Sequence, residues 1–433
     1  MKKIIVALGV LMASVVTLHA QWSLDSCIAY AEEHSFDVQR AIVELRNAEL
    51  AYSTARVSMT PSVNAGVGQD FSFGLAQGAD NIKQPRTQAS TSFNASVNMP
   101  LFTGLKITNQ IRRTKIEIAA SEANVEGLRN NIAVNVASYY LNALYNTEMV
   151  TISEQQLALR KKFMEHTAQL VEAGKKSESE LYEAQAQVAQ DSSALTDARI
   201  NLRQSIVDLC QLLNWTDIEA FALAPMSNVE IAEVLLSPAE EVYNHALSRH
   251  PTMRSSLLQI ESAKYAIREA KADYYPQLSL NASWGTGYYH VFNGNNPGFG
   301  QQFVDNGSEM VGVYLSIPIY NRLQVRNNIK MSKNALQLAT INNSQQAARL
   351  YKEIQSAYYN ALSSQEKYRA ALTSYQTGKT ALDYAVSKYE LGRMNAYEYN
   401  EVQSRYARAA AELTQSKYDF SLRYRILQHY ANL

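Results

Sequence analysis

The stretches MPLFTGLKITNQI (residues 99–111) and IPIYNRLQVRNNI (residues 317–329) are two copies of one pattern, 218 residues apart. Each leaves a run that alternates with period two, passes a proline and enters a run with helical spacing, so both record the same strand-to-helix junction. The offset holds downstream, where Tyr140-Leu-Asn142-Ala143-Leu144 matches Tyr358-Tyr-Asn360-Ala361-Leu362 and VEAGK around Gly174 matches YELGR around Gly392. Upstream it becomes 215: Pro61 pairs with Pro276, and Ala48, Ala51 and Ala55 pair with Ala263, Ala266 and Ala270. Alanine-rich helices resemble one another by chance, but chance does not preserve one order of proline, strand, proline, helix, glycine and helix. The chain is therefore a tandem duplication, with residues 21–225 as the first structural repeat, residues 226–433 as the second, and three extra residues in the loop of the second.

Four runs have one apolar face. Val63, Ala65 and Val67 alternate with Asn64, Gly66 and Gly68, and Phe93, Ala95, Val97 and Met99 alternate with Ser92, Asn94, Ser96 and Asn98. In the second copy Leu278, Leu280, Ala282 and Trp284, then Val311, Val313, Leu315 and Ile317, do the same. Strands are expected at about 61–74, 90–100, 276–290 and 309–318, each roughly ten residues, the length that crosses a bilayer when tilted. The polar linkers at 75–90 and 292–308, rich in Gly, Asn and Gln, are expected to be exposed loops.

Helices follow each second strand. Ile111, Ile118, Val125, Ile132 and Tyr139 recur every seven residues, with Ile329, Leu336, Asn343, Leu350 and Ala357 as counterparts, an imperfect coiled-coil seam. The pattern predicts long helices at about 102–170 and 321–388, on the order of 100 Å at 1.5 Å per residue. Gly174 and Gly392 mark reversals into return helices at about 176–214 and 394–431. Shorter amphipathic helices precede the first strand of each copy, the second pair opened by Ser237-Pro238-Ala239-Glu240, a capping box with proline at the first helical position. The nine prolines, at 61, 85, 100, 225, 238, 251, 276, 297 and 318, spare 101–224 and 319–433 altogether.

Composition narrows the function. The 433 residues carry 40 Lys+Arg against 40 Asp+Glu, so the basic excess that nucleic-acid binding needs is missing. With 46% apolar residues a sizeable core can form, and two cysteines exclude a disulfide scaffold. Tyrosine supplies 27 of the aromatic residues, a side chain suited to surfaces half apolar and half wet. Lys2 and Lys3, the apolar run Ile4 to Leu18 and a small-residue site closed by Ala20 have the layout of a signal peptide over 1–20. Beyond it no apolar run is long enough for a transmembrane helix. Cys27 lies too far past that run, behind Asp25 and Ser26, to be an acylation site. In an oxidising compartment Cys27 and Cys210 are either bridged or two buried thiols. His34, His166, His245, His250, His290 and His429 are scattered without a ligand pair, and no Gly-rich phosphate loop occurs. Neither a catalytic constellation nor a metal or cofactor site is expected.

Four strands cannot close a membrane barrel, and an open edge cannot face lipid. A membrane role therefore demands other copies of the chain: two would supply eight strands, a nearly filled barrel, and three would supply twelve and leave a lumen. The alternative is a soluble sandwich carried on a helical spacer, as in an exported structural coiled-coil or adhesion protein. That alternative leaves four bilayer-length apolar alternations unexplained.

The duplicated plan, with Pro61 and Pro276 entering strands, LFTGL and IYNRL leaving them, and VEAGK and YELGR at the reversals, resembles the TolC family of outer-membrane efflux proteins from Trp22 to about Tyr430. The resemblance implies an α+β membrane protein, a tandem-repeat protomer with four barrel strands and very long coiled-coil helices. Three copies would share a twelve-stranded outer-membrane β-barrel continued by a periplasmic α-helical barrel. It implies as partners a periplasmic adaptor, an inner-membrane pump of the resistance-nodulation-division or ABC type, and outer-membrane lipid. It places Tyr389 at the gate tyrosine position, Glu398 and Glu401 at acidic lumen positions, and Glu180 at a gate acid, with Glu183 pairing Glu401 across the repeat. The family's gate arginine position falls on Met394, with Arg393 adjacent. Gly174, Lys175 and Gly392 fall at the tips where adaptors dock. Without the resemblance, the glutamates are solvated charges supporting nearby Lys or Arg. The family commonly starts its second helix with Asn-Pro; here His250-Pro251 stands against Ser35-Phe36, which blurs that boundary. Trp284, Tyr288, Tyr289 and Tyr320, near strand ends, are either an interfacial belt or ordinary packing. The expected function is the passive exit channel of a tripartite efflux pump, with the outlet of a type I protein-secretion system as the alternative.

Overall fold

The duplication recurs in the backbone in the helices and in the strands of the four-stranded sheet. A computed structural model describes residues 21–77, 83–85, 87–225, 236–292 and 294–432; the leader expected at 1–20 lies outside the described residues. The first repeat runs β1 (Gln21–Trp22), α1 (Leu24–His34), α2 (Phe36–Val57), β2 (Ser62–Ser72), β3 (Leu75–Gln77), β4 (Lys83–Pro85), β5 (Gln88–Phe102), α3 (Lys106–Glu172) and α4 (Glu178–Leu213). The second follows with β6 (Ala222–Leu223), α5 (Ala239–Arg249), α6 (Pro251–Ala272), β7 (Gln277–Val291), α7 (Phe299–Asp305), β8 (Ser308–Ser316), α8 (Gln324–Glu390) and α9 (Ala396–Asn432). α1 and α2 return 215 residues later as α5 and α6, and α3 returns 218 later as α8, each pair equal in length.

Three details differ from expectation. Pro238 is the N-cap of α5 rather than its first residue, with φ −56° and ψ 139°, and no side chain closes a capping box there. Its carbonyl accepts from Val242 N–H, so the ring stays in the extended basin and the helix starts at Ala239. The linkers are not plain loops: β3 pairs with β4, and α7 packs on β7 because Gln302, buried, donates to Tyr289 O at 3.0 Å and accepts from Tyr289 N–H at 2.9 Å. The boundary blurred at Ser35 is sharp. Ser35 and His250 take nearly the same backbone angles, φ,ψ −62°, 132° and −59°, 126°, although proline follows only the second. In the first copy Asn214 Nδ2 donates to His34 O at 2.8 Å and satisfies the helix end that a proline would otherwise force open.

The repeats are not separate bodies. The chain forms two compact units, one from residues up to Arg40, Val125–His250 and Ala348 onward, the other from Ala41–Asn124 and Pro251–Ala347, so each repeat contributes to both.

The second unit holds an antiparallel sheet in the order β2-β5-β7-β8. Its register sets apolar against apolar: Val63 opposes Val97, Val67 opposes Phe93, Met99 opposes Leu280, and Leu280 opposes Val313. The other face is polar, with Asn64 opposite Ser96 and Asn98 donating from Nδ2 to Asn281 Oδ1. Because side chains alternate, one register places all four apolar runs on one side. On the edge strands β2 and β8 those residues are exposed, Val311 by 76% and Val63 by 70%, while on β5 and β7 most are half-buried. The edges β2 and β8 have no strand partner among the described residues. Beside the sheet, Lys106–Asp273 (2.8 Å) and Arg113–Glu269 (2.9 Å) tie α3 to the end of α6, and Ser256 Oγ donates to Asn343 Oδ1 at 2.7 Å, which explains the polar residue on the α8 seam.

The first unit is helical with a small parallel ribbon, β1 on β6. Tyr140 Oη lies 2.9 Å from Trp22 O and 2.8 Å from Ala224 O, binding the ribbon to α3. Trp22 stacks on Phe221 and meets Tyr30 and Trp215 edge-on. Cys27 on α1 and Cys210 on α4 are buried free thiols. Burial, with Cys210 adding to it, pushes Cys27 up to about 12, and burial lifts Cys210 to about 11, so both stay protonated and inert at neutral pH.

Candidate functional site

The hairpin turns of the helical unit are built alike. Gly174 and Gly392 take φ 66° and 67°, the left-handed conformation that ends a helix. Gly174 N–H donates to Val171 O and Lys175 N–H to Leu170 O; Gly392 N–H donates to Tyr389 O and Arg393 N–H to Lys388 O. These paired bonds are Schellman closures, which satisfy the orphan carbonyls in one step. A Cβ at either glycine would meet nothing within 4 Å, so backbone conformation, not crowding, demands glycine, and the turns are open to a partner.

The turns enclose an aromatic cluster. Phe163, Ala184 and Tyr389 are buried together, with Met164, Met394, Ala396 and Tyr399 against them. Phe163 and Tyr389 rings are 5.2 Å apart, and Tyr389 and Tyr399 stack at 4.9 Å. Lys176, in the turn after Gly174, donates to Tyr389 Oη at 2.7 Å and pairs with Glu180 at 2.9 Å. One lysine thus joins the first copy's turn to the second copy's tyrosine. Burial opposes its charge, but the hydrogen bonds to Tyr389 and Glu180 and the attraction of both outweigh that and hold its pKa above the ordinary value. Burial raises the pKa of Tyr399, with Arg160 pulling the other way.

Behind the cluster, Arg160 on α3 is 2% exposed. Its Nε meets Asp191 of α4 at 3.1 Å and its Nη1 donates to Asn400 of α9 at 2.7 Å. Three helices are thereby fixed by one guanidinium.

The residues expected from the sequence are distributed as follows. Tyr389 and Glu180 come together on Lys176, and Met394 packs against the cluster that holds Tyr389. Arg393 is exposed beside the turn, and Lys175 is exposed at its own. Glu398 closes a capping box: it accepts from Asn395 N–H at 3.3 Å while Asn395 Oδ1 accepts from Glu398 N–H at 2.8 Å. Glu401 pairs with Arg405 one turn on, at 2.8 Å. Sequence reading missed Lys176, Arg160, Asp191 and Asn400. A signal existed for Arg160: the row of sevens from Ile111 continues to Arg160 and Thr167, both buried, so a charge occupies a seam position. For Lys176 there was none beyond its adjacency to Lys175.

Elsewhere, Trp284 and Tyr288 pack against Phe303 and Phe299 of α7, while Tyr320 is exposed. His250 and His429, far apart in sequence, lie near enough that burial and then His429 lower the pKa of His250, and burial lowers His429. Among the described residues no group of three His, Cys, Asp or Glu could hold a metal, and no helix is long and apolar enough to cross a membrane.

The profile of the outer membrane efflux protein family matches residues 28–214 and 242–432. The outer membrane efflux protein BepC of Brucella suis is 21% identical over 399 residues, covering 90% of this chain and 80% of its own. The alkaline protease secretion protein AprF of Pseudomonas aeruginosa is 22% identical, covering 82% and 72%. The solved CmeC outer membrane channel of Campylobacter jejuni superposes with a TM-score of 0.79 at 18% identity, over 94% of this chain and 85% of that one.

Proposed function

Because the chain belongs to the outer membrane efflux protein family, we propose that it is the passive exit duct of a tripartite efflux pump, three copies closing one twelve-stranded barrel. The sheet carries this reading. It has one continuous apolar face and two unpaired edges, β2 and β8, whose backbone groups have no partner in hydrocarbon. Three copies remove every edge and give a barrel wide enough to keep a lumen lined by the Asn, Ser and Gly face. The helical part lies in the periplasm, where an adaptor docks at Gly174, Lys175 and Gly392 and an inner-membrane pump, of the resistance-nodulation-division or ABC type, supplies the energy. No reacting group is needed for such a duct.

The tip is read as the closure. Lys176 holds Tyr389 and Glu180 together, a link made by a lysine from the first repeat where the family places an arginine at the position of Met394. Threefold assembly turns Glu398 and Glu401 into rings that favour cations in a narrow pore. Their capping and pairing within the chain leave the charges in place for that role. A second reading, the outlet of a type I protein-secretion system, is favoured by the likeness to AprF, itself a protease secretion protein.

Purified protein in planar lipid bilayers is expected to conduct ions; a preparation that inserts but stays silent overturns the duct. Glu398→Gln with Glu401→Gln keeps the cap and is expected to move the reversal potential under a KCl gradient toward zero; an unmoved potential removes the carboxylate rings from the account. Lys176→Met, which keeps the stem and loses the hydrogen bonds and charge, is expected to raise the open fraction several-fold. If gating is unchanged, the link is only structural.

A further inference from the structure

β7 changes partner partway along one edge. On one side β5 flanks it as far as Val291, but on the other β8 stops at Ser308, opposite Gly285, and leaves residues 286–291 without a strand. Side-chain amides take the strand's place. Tyr289 N–H donates to Gln302 Oε1 at 2.9 Å, and Tyr289 O accepts from Gln302 Nε2 at 3.0 Å. Asn296 serves Val291 in the same way, at 2.7 and 2.8 Å, and Asn306 Nδ2 donates to Gly287 O at 2.6 Å. The connection from β7 to β8 is thus bonded along the strand it follows, and α7 within it has a fixed seat.

That seat is on the apolar face. Thr286, buried, donates from Oγ1 to Phe303 O at 2.7 Å; the Phe303 ring meets Trp284 and Phe93, and Phe299 meets Tyr288. Side chains alternate along a strand, so Trp284, Thr286 and Tyr288 stand on the side of Leu278, Leu280 and Ala282. Phe93 stands on the side of Ala95 and Val97. In the barrel proposed above this face turns to lipid and the Asn, Ser and Gly face to the lumen, so α7 rests on the outside of the wall. Its height follows from the strand. β7 is entered from α6, which puts Val291 at its outer end. At about 3.4 Å per residue and a tilt near 40°, Trp284 lies about 16 Å and Tyr288 about 26 Å above Leu278, and the apolar band of such barrels is about 25 Å tall. α7 therefore lies at the outer boundary of the hydrocarbon.

The helix is sorted to match. At about 100° per residue, Phe299, Gly300, Phe303 and Val304 share one arc and Gln301, Gln302 and Asp305 the other. Phe299 and Val304 are 52% and 75% exposed. We infer that α7 is an interfacial helix of the outer leaflet, with Val304 and the free side of Phe299 among acyl chains and Gln301 and Asp305 in the headgroup layer. Lying there, it holds the outer end of the barrel at a fixed depth. The inference rests on the barrel reading and adds to it an element outside the wall. The contact is apolar rather than electrostatic, because residues 277–321 include no Lys or Arg to attract an anionic headgroup.

Val304→Cys, Asp305→Cys and, as a reference on the sheet, Val311→Cys are each made in protein carrying Cys27→Ala and Cys210→Ala. The assembled protein is labelled with a nitroxide and reconstituted in dioleoylphosphatidylcholine vesicles. Collisions with oxygen, which dissolves among acyl chains, are compared with collisions with a nickel chelate, which stays in water. The oxygen-to-nickel ratio at Val304 is expected to lie between those at Val311 and Asp305, about fivefold above the latter, and to stay level when phosphatidylglycerol is added. A nickel-dominated Val304 beside an oxygen-dominated Val311 overturns the interfacial helix and leaves the barrel standing. So does a Val304 label shielded from both reagents, which would put a neighbouring copy against α7. Equal ratios at Val304 and Asp305 overturn the orientation, and a ratio that rises only with the anionic lipid refutes the apolar seat. A nickel-dominated Val311 overturns barrel and helix together.

Discussion

Asp191→Ala is expected to loosen the periplasmic hairpins by about 3–5 kcal/mol, the cost of leaving a buried charge without its partner. Arg160 is 2% exposed, so its charge has no water to fall back on once Asp191, itself 17% exposed, is removed. Arg160 would retain only Asn400, a neutral acceptor at 2.7 Å. Local opening between residues 155 and 195, read by amide hydrogen exchange, should rise by about two to four powers of ten. The pair itself is expected to be worth far less than its disruption. Arg160→Met with Asp191→Leu removes both charges, and the double variant should recover most of the loss. If the single variant costs less than about 1 kcal/mol, the guanidinium is hydrated and the three helices are held by apolar packing alone.

What the sequence discloses about this fold follows from how local each cause is. The helix bounds are legible because α1, α2 and α3 each recur in α5, α6 and α8, and a pattern written twice is separated from noise by its own offset. Sheet register is legible for a related reason: a slip of one residue would turn Val63, Val97, Ala282 and Val311 to opposite faces. The site is less legible. The resemblance singles out Tyr389, but its partner Lys176 lies 213 residues away and nothing in either neighbourhood announces the other. Glu398 and Glu401 show the limit in another way. Their residue types suit a charged ring, yet within the chain one caps a helix and the other pairs with Arg405, tasks that glutamates at helix starts perform everywhere. α7 escaped because seven residues give no period to read, and what holds it is non-local: Gln302 on the backbone of Tyr289, Thr286 on Phe303 O, and the rings of Trp284 and Tyr288 on Phe303 and Phe299.

Gly104→Ala is expected to cost about 2–5 kcal/mol, and the second repeat shows why the larger part is steric. Gly104 has φ 62° and is followed by Leu105 at 66°; Arg322 and Leu323, their counterparts, take 51° and 64°. The left-handed turn is therefore open to residues with a side chain, at roughly 1–2 kcal/mol each. The difference lies in the neighbours. A Cβ on Gly104 would stand 2.6 Å from Ala272 O and 2.7 Å from Tyr275 Cβ, and neither can swing aside as the end of a flexible chain can. Overpacking of that kind adds about 1–3 kcal/mol. Relief requires α6 to withdraw, which would stretch Lys106–Asp273 and Arg113–Glu269 together. The thermal transition of the assembled protein should fall for Gly104→Ala and stay nearly level for Arg322→Gly, where relief of the strained turn is offset by the freer unfolded chain. Equal effects of the two substitutions would show that conformation alone sets the cost. The packing of α6 against this turn would then have no part in choosing glycine there.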